Sequence, residues 1–228
     1  MRLITASIAL AFLTAGCAKD PSQSVPKAAV GAAEKPATQT KPSPKTAAKG
    51  ATDKAAPSAD QGIALEGEIS FLGSKVTGSH SGRFNSWIGT ALIDPAGALQ
   101  SLSIVVQTKD VEADFEAPSK WSKKLEAHLR DDDFFASDKH PTATFQLDTV
   151  TPLTNATGTA THTLSGRFTI RGTTKAISFP VTVESLKPFA ANAEFSINRK
   201  DFGMMYNGKA DNLIRDGVVM KIALKAKS

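Results

Sequence analysis

From Gly62 onward the chain alternates between apolar and polar positions. Ile63, Leu65, Ile69 and Phe71 share one parity, as do Trp87, Ala91 and Ile93, then Leu102, Ile104 and Val106, then Ala143, Phe145 and Leu147. Leu164, Phe168 and Ile170 repeat the pattern, followed by Ile177, Phe179, Val181 and Val183, then Phe195 and Ile197, then Met220, Ile222 and Leu224. Such period-two runs predict strands with one buried face. Ser, Thr, Lys, Glu and Gln at many intervening positions predict a solvated opposite face. The pattern gives about eight strands, with a further short one expected within Ser74–Phe84. Turn signals separate them at Asp94-Pro95-Ala96-Gly97, Leu153-Thr154-Asn155-Ala156, Arg171-Gly172 and Asn207-Gly208.

One stretch breaks this rhythm. Trp121, Leu125 and Leu129 fall at i, i+4 and i+8, which is a single helical stripe. A helix is therefore expected over Ser119–Arg130, with Ser119 as its N-cap and Lys120, Lys123, Lys124 and Glu126 turned away from the stripe. Asp131-Asp132-Asp133-Phe134-Phe135 predicts a second short turn opened by acidic caps, with Phe134 or Phe135 plugging the core. The expected fold is all-β: an antiparallel eight-stranded barrel with a short helical insertion, because closure removes exposed sheet edges. A two-sheet sandwich is the alternative architecture.

The aromatic residues set the boundaries of this domain. Of 12 Phe, two Trp and one Tyr, only Phe12 precedes Phe71. A segment without large apolar side chains cannot offset its ordering entropy by burying them, so the ordered unit is expected at residues 62–228. Residues 17–61 are read as a tether. Ala18–Asp60 has 12 Ala, six Pro and seven Lys, with Val25 and Val30 as its only large apolar residues. The prolines interrupt every helical stretch, and a flexible coil of this length spans about 35–40 Å.

Residues 1–16 read as a lipoprotein signal peptide. Arg2 is a short positive region, and Leu3–Leu13 is an apolar run broken only by Thr5 and Ser7, too short to span a bilayer. Leu13-Thr14-Ala15-Gly16-Cys17 then resembles a bacterial lipobox. Cys17 is the only cysteine of the chain, so no intramolecular disulfide is available, and lipidation would remove an exported free thiol. Ala18 after the cysteine, by analogy with lipoprotein sorting, points to the outer membrane of a bacterial cell envelope, with the barrel facing the periplasm or the surface.

The formal charge of +5 changes the picture little. Residues 61–228 hold 19 basic and 18 acidic side chains, so the excess lies in the flanking segment. A folded nucleic-acid-binding domain needs basic residues gathered on one face, and no nucleic-acid partner is expected.

The segment Lys124-Leu125-Glu126-Ala127-His128-Leu129-Arg130-Asp131-Asp132-Asp133-Phe134-Phe135 and its continuation Lys139-His140-Pro141-Thr142-Ala143-Thr144-Phe145 resemble the hallmark helix and strand of the YceI-like family. Leu164–Lys175 is similar to that family's hairpin, and Asn198-Arg199-Lys200-Asp201-Phe202-Gly203 with Ile214-Arg215-Asp216 to its closing region. The resemblance covers nearly all of Ile63–Ser228. It implies a lipocalin-like barrel with a helical segment that encloses a long isoprenoid or fatty-acyl ligand. The family's simplest layout is a soluble periplasmic protein, from which an anchor and tether depart. Lys75–Gly82 looks like one branch of the family more than its soluble isoprenoid binders.

Catalytic signals are weak. Gly78-Ser79-His80-Ser81-Gly82 has His where a nucleophile elbow needs Ser. His80, His128, His140 and His162 are dispersed, and the consecutive Asp131–Asp133 lack the alternation and glycine of a calcium loop. The expected function is non-enzymatic, with no cofactor and no metal: binding or carriage of a long-chain amphiphilic lipid by a protein held to the membrane through Cys17. The ligand-binding candidates are Phe71, Trp87, Ile104, Phe145, Phe168, Phe179 and Phe195 as cavity walls, and Phe134, with Trp121 and Phe135, as a gate or seal. The alternatives are an envelope scaffold whose barrel is filled by side chains and a hydrolase using His80 or His128. The oligomeric state is left open, a dimer among its outcomes.

Overall fold

The computed structural model describes residues 19–33, 62–154 and 158–228. In chain order its strands are β1 (Ala29–Ala33), β2 (Ile63–Lys75), β3 (Gly78–Phe84), β4 (Trp87–Ile93), β5 (Leu99–Gln107), β6 (Val111–Ala113), β7 (Thr142–Pro152), β8 (His162–Ile170), β9 (Thr173–Leu186), β10 (Phe189–Asn198), β11 (Gly208–Lys209), β12 (Asn212–Leu213) and β13 (Gly217–Ala226). The wall runs β2-β4-β5-β7-β8-β9-β10-β13, and β13 pairs back onto β2 to close an antiparallel barrel. β3 and β4 act as one interrupted strand along one edge of β2: Lys75 pairs with Gly78 and Ser70 with Arg83, then Ile63 with Ala91.

The predicted parity places the core. Leu65, Ile69, Ile104, Phe145, Phe179 and Phe195 are buried inside the wall, while Ile63, at the rim where β2 begins, is exposed. β2 bends at Gly67, whose φ is +138°. Closure brings two backbones together at this point: a Cβ on Gly67 would lie 2.0 Å from the Ala223 carbonyl oxygen of β13. The Asp94–Gly97 turn forms as expected, with the Asp94 carboxylate accepting from the Ala98 N–H at 2.8 Å. Arg171 and Gly172, both at positive φ, make the tight β8–β9 turn.

The helix α1 spans Ser122–Arg130, and three expectations about it need correcting. Trp121 is not part of its buried stripe: it sits at the N-cap and is 61% exposed. Ser119 is not the N-cap: it lies two residues before it, and its hydroxyl accepts from the Trp121 N–H. Glu126, expected on the solvent face, is buried. Its carboxylate accepts from the Ala113 N–H of β6 at 3.4 Å and is paired with Lys123 and Arg130. Those partners replace the water it gives up, and they hold the helix to β6, which in turn pairs with β3.

The unstructured tether expected from Ala18 onward is corrected over residues 19–33. β9 and β10 pair only from Leu186–Phe189 to Thr182–Asn192; beyond that the two strands part. The N-terminal segment fills the gap. Lys27 bridges to Ser196 in parallel, with the Ala28 N–H donating to the Ser196 carbonyl and the Ser196 N–H to the Pro26 carbonyl, both at 2.8 Å. β1 then pairs antiparallel with β9, Ala29 opposite Ser178 and Val30 opposite Ile177. Upstream, the short 3₁₀ turn Pro21–Gln23 lies against β10 and β13, capped by Asp20. Ser22 packs so closely on Gly217 that a Cβ there would meet its hydroxyl at 2.1 Å. The segment is ordered because two unpaired strand edges supply backbone partners, with no need for large side chains. Residues 1–18, with Cys17 and the expected signal peptide, residues 34–61, and residues 155–157 of the expected Leu153–Ala156 turn lie outside the described residues.

Two outcomes follow. Gly67→Ala lowers stability by roughly 2 kcal/mol or more, because its positive φ and the Ala223 carbonyl leave no room for a Cβ; thermal melting reads this directly, and an unchanged Tm contradicts the bend. The amide of Ala28 exchanges with solvent as slowly as the paired amides of β10 in native-state hydrogen exchange, whereas a free tether exchanges at the rate of an unprotected chain.

Candidate functional site

The barrel encloses a cavity of about 170 Å³. It runs from Leu99, Val183 and Phe189 at one end to Leu129, Met204 and Ile214 at the other. Its lining is almost wholly apolar; Arg199 and Arg215 are the charged residues that border it. An apolar cavity of about 150 Å³ stays dry and accepts a benzene-sized guest, so this one has room for a segment of hydrocarbon without rearrangement.

Seven of the eight expected residues border this space: Phe71, Ile104, Phe134, Phe145, Phe168, Phe179 and Phe195. Strand parity brings six of them together, Phe134 coming from the loop after α1, and three of the rings form a contact series. Phe179 of β9 and Phe195 of β10 stack at 4.1 Å between centroids, and Phe145 meets Phe179 at 5.5 Å. Phe168 packs edge-on against Phe202 at 5.4 Å. Trp87 is placed differently. Its ring folds over Gly89 toward Leu65 and packs against the core without bordering the cavity. The lack of a Cβ at Gly89 leaves a shelf that the indole covers.

One end of the barrel is roofed by a lid of separate chain segments. Phe71, Phe84 and Phe135 form a ring cluster with centroids 5.5–6.2 Å apart. Phe134, His128 and Tyr206 form another, at 5.0–5.9 Å. Phe134 and Phe135 thus occupy the plug positions expected of them, whereas Trp121 stands outside. The loop that carries the two phenylalanines is fastened at its rim: the Lys139 ammonium holds the Asp132 carboxyl below its ordinary range, and Lys109 does the same for Asp138. The Arg171 guanidinium donates to the carbonyls of Phe134 and Gly203 at 3.1 and 3.0 Å, joining this loop to the one after β10.

Arg199 is the residue that sequence reading missed. It is 2% exposed and lies at the inner end of β10. Its guanidinium donates to the backbone carbonyls of Met204, Ile214 and Arg215 and to Asp216 Oδ1. It therefore pins both ends of the segment that carries the β11–β12 hairpin. Burial pushes the guanidinium below its ordinary value, and neighbouring Asp216 pulls the other way. An arginine in a motif otherwise flanked by Lys200 and Asp201 carried no signal of burial.

The histidines raised as catalytic candidates are held in structural pairs. His80 Nδ1 lies 3.0 Å from Asp114 Oδ1, and Ser122 donates to the other Asp114 oxygen at 3.4 Å. His128 Nε2 lies 2.9 Å from Asp133 and its ring is wedged between Phe134 and Tyr206. In both pairs the carboxylate orients the ring, and among the described residues no hydroxyl is hydrogen-bonded to the second nitrogen of either.

A family model described as the YceI-like domain matches residues 64–226. A UPF0312 protein of Pseudomonas fluorescens (strain SBW25) is 28% identical over 171 residues, covering 68% of this chain and 82% of the relative. A UPF0312 protein of Pseudomonas putida (strain W619) is 30% identical over 155 residues, covering 64% and 77%. The crystal structure of Burkholderia cenocepacia BcnA superposes with a TM-score of 0.58 at 22% identity, covering 70% of this chain and 96% of that one. A polyisoprenoid-binding domain from Saccharophagus degradans, implicated in plant cell wall breakdown, superposes with a TM-score of 0.53 at 16% identity, covering 72% and 98%.

Arg199→Leu is expected to destabilise the protein by about 3 kcal/mol, since carbonyls built around a guanidinium lose their donor. Arg199→Lys rescues little, because one ammonium cannot span the same fork. Denaturant melts of both variants test this, and a lysine variant as stable as the parent contradicts it.

Proposed function

This chain belongs to the YceI-like family, and on that footing we propose that it binds the apolar chain of an amphiphilic lipid, isoprenoid or fatty-acyl, inside its barrel. The observation that carries the reading is the cavity of about 170 Å³ with its almost wholly apolar lining. A hydrocarbon chain gains roughly 25 cal/mol for each Å² withdrawn from water, and such a lining has few unmet polar groups to oppose entry. The existence of a cavity favours this reading over a scaffold whose barrel is filled by side chains. The polyisoprenoid-binding domain of Saccharophagus degradans shares the fold, which lends support to the isoprenoid class. The stacked Phe179 and Phe195 rings would turn aside to lengthen the space for a longer chain.

The same proposal covers the anchor. The lipobox-like Leu13–Cys17 supports acylation of Cys17, and several acyl chains on one residue make a stable membrane anchor where one chain is marginal. Ala18 after it supports residence at the outer membrane of a bacterial envelope. Binding in this reading is non-enzymatic.

Protein purified from its host is expected to release an isoprenoid or fatty-acyl lipid on solvent extraction, identified by mass spectrometry. Ala193→Phe, which fills the cavity from β10, is expected to abolish most of that yield while the barrel still melts cooperatively. No extracted lipid from the parent, together with no uptake of fluorescent acyl or prenyl probes, overturns the reading.

A further inference from the structure

The docked N-terminal segment determines how far the barrel can stand from a membrane. The Lys19 carbonyl accepts from Arg215 Nη1 at 3.4 Å, the Asp20 carboxylate is paired with Arg215 Nε at 4.0 Å, and Ser22 is buried against Gly217. Arg215 and Gly217 both belong to the lid end: Gly217 pairs with Asn198, next to Arg199, and Lys75 at the tip of β2 bridges to Ile214. Cys17 precedes Lys19 by two residues, so their Cα atoms are no more than about 7 Å apart in a fully extended chain. The proline- and lysine-rich residues 34–61 join two points on the barrel, Ala33 on β9 and Gly62 before β2. They therefore do not lie between the barrel and Cys17.

We propose that the lid end of the barrel docks onto the surface of a lipid bilayer, which Val76, Met205, Leu213 and Trp121 enter at headgroup depth. This rests on acylation of Cys17, as proposed above. The four side chains are exposed despite being large and apolar, Trp121 at 61%, Met205 at 60%, Leu213 at 48% and Val76 at 39%. They gather at one end. The Val76 N–H donates to the Leu213 carbonyl, and Met205 follows the Met204 carbonyl that Arg199 holds. Trp121 adjoins the β2–β3 hairpin through Ser122, Asp114 and His80. An indole at that position suits the boundary between headgroups and chains. An anchor within a few ångströms keeps this end at the surface at high effective concentration, which a leash of about 40 residues would dilute. Docking turns the lid toward the lipid, so an amphiphile exchanges between barrel and bilayer without crossing water.

The test uses full-length protein reconstituted in vesicles of phosphatidylethanolamine and phosphatidylglycerol that carry brominated acyl chains. With Cys17 acylated, Leu213→Cys provides one labelling site for an environment-sensitive dye, and Ala96→Cys in the β4–β5 turn provides a control at the far end. The expected result is a blue shift and loss of emission at position 213, with none at 96. Insertion of a flexible 20-residue Gly/Ser segment between Ala18 and Lys19 is expected to reduce the effect at 213 while the protein stays vesicle-bound. Acylated, vesicle-bound protein whose 213 dye matches the 96 dye overturns the docking alone. Mass spectrometry showing Cys17 without acyl chains overturns the anchor and the docking with it.

Discussion

Everything inside this barrel depends on β2 meeting β13. A sheet of this size left open would present two long unpaired edges and no interior. Closure gives each inner side chain a neighbour across the lumen and fixes the circumference within which aromatics must fit. The constraint falls on the backbone at one place. Leu224 pairs with Gly67, and only a residue without a Cβ lets the Ala223 carbonyl approach so closely. The lumen left by that circumference is not completely filled by Phe, Ile, Leu and Val, and the remainder is the cavity.

Closure is incomplete at one seam, and the chain repairs it with its own N-terminal segment. Ser196 and Val219 alternate with cavity-lining Phe195, Ile197 and Met220 and so face outward, yet both are almost fully buried. The segment that carries Ser22 and Ala28 lies where they need a cover. Its small residues are what the seam requires: Gly31 faces Ala176, where even one added Cβ would come to 3.2 Å. An aromatic-poor composition, read from sequence as unable to build a core, is also the composition that slides between two strands.

That contrast explains what was legible. Strand parity follows from burial on one face, so the barrel, the inward residues and most of the cavity lining could be read from alternation. Edge pairing leaves no such trace, because backbone groups are common to all residues, and the docked segment was read as a tether. Glu126 shows the same limit. A carboxylate on a helix reads as solvent-facing unless its partners are known, and Ala113, Lys123 and Arg130 become its neighbours only in the fold. Trp87 shows a limit of another kind: parity sends it inward, but whether an inward ring borders a void or covers a glycine is decided by packing.

The two ends of the barrel are built by different physics, and this decides which end opens at less cost. At the far end, β4–β5 and β9–β10 are joined by short turns between strands already paired, and Phe189 is sealed at 1% exposure. Opening there means breaking ladder hydrogen bonds and exposing a full aromatic ring. The lid end is an assembly of the β2–β3 hairpin, the Asp131–Pro141 loop and the segment after Arg199, joined by ring contacts, by arginine donation to carbonyls and by one short β-bridge between Lys75 and Ile214. Segments joined in this way separate locally at less cost than a strand leaves a sheet. The end fastened closest to Cys17 is therefore also the end that can part.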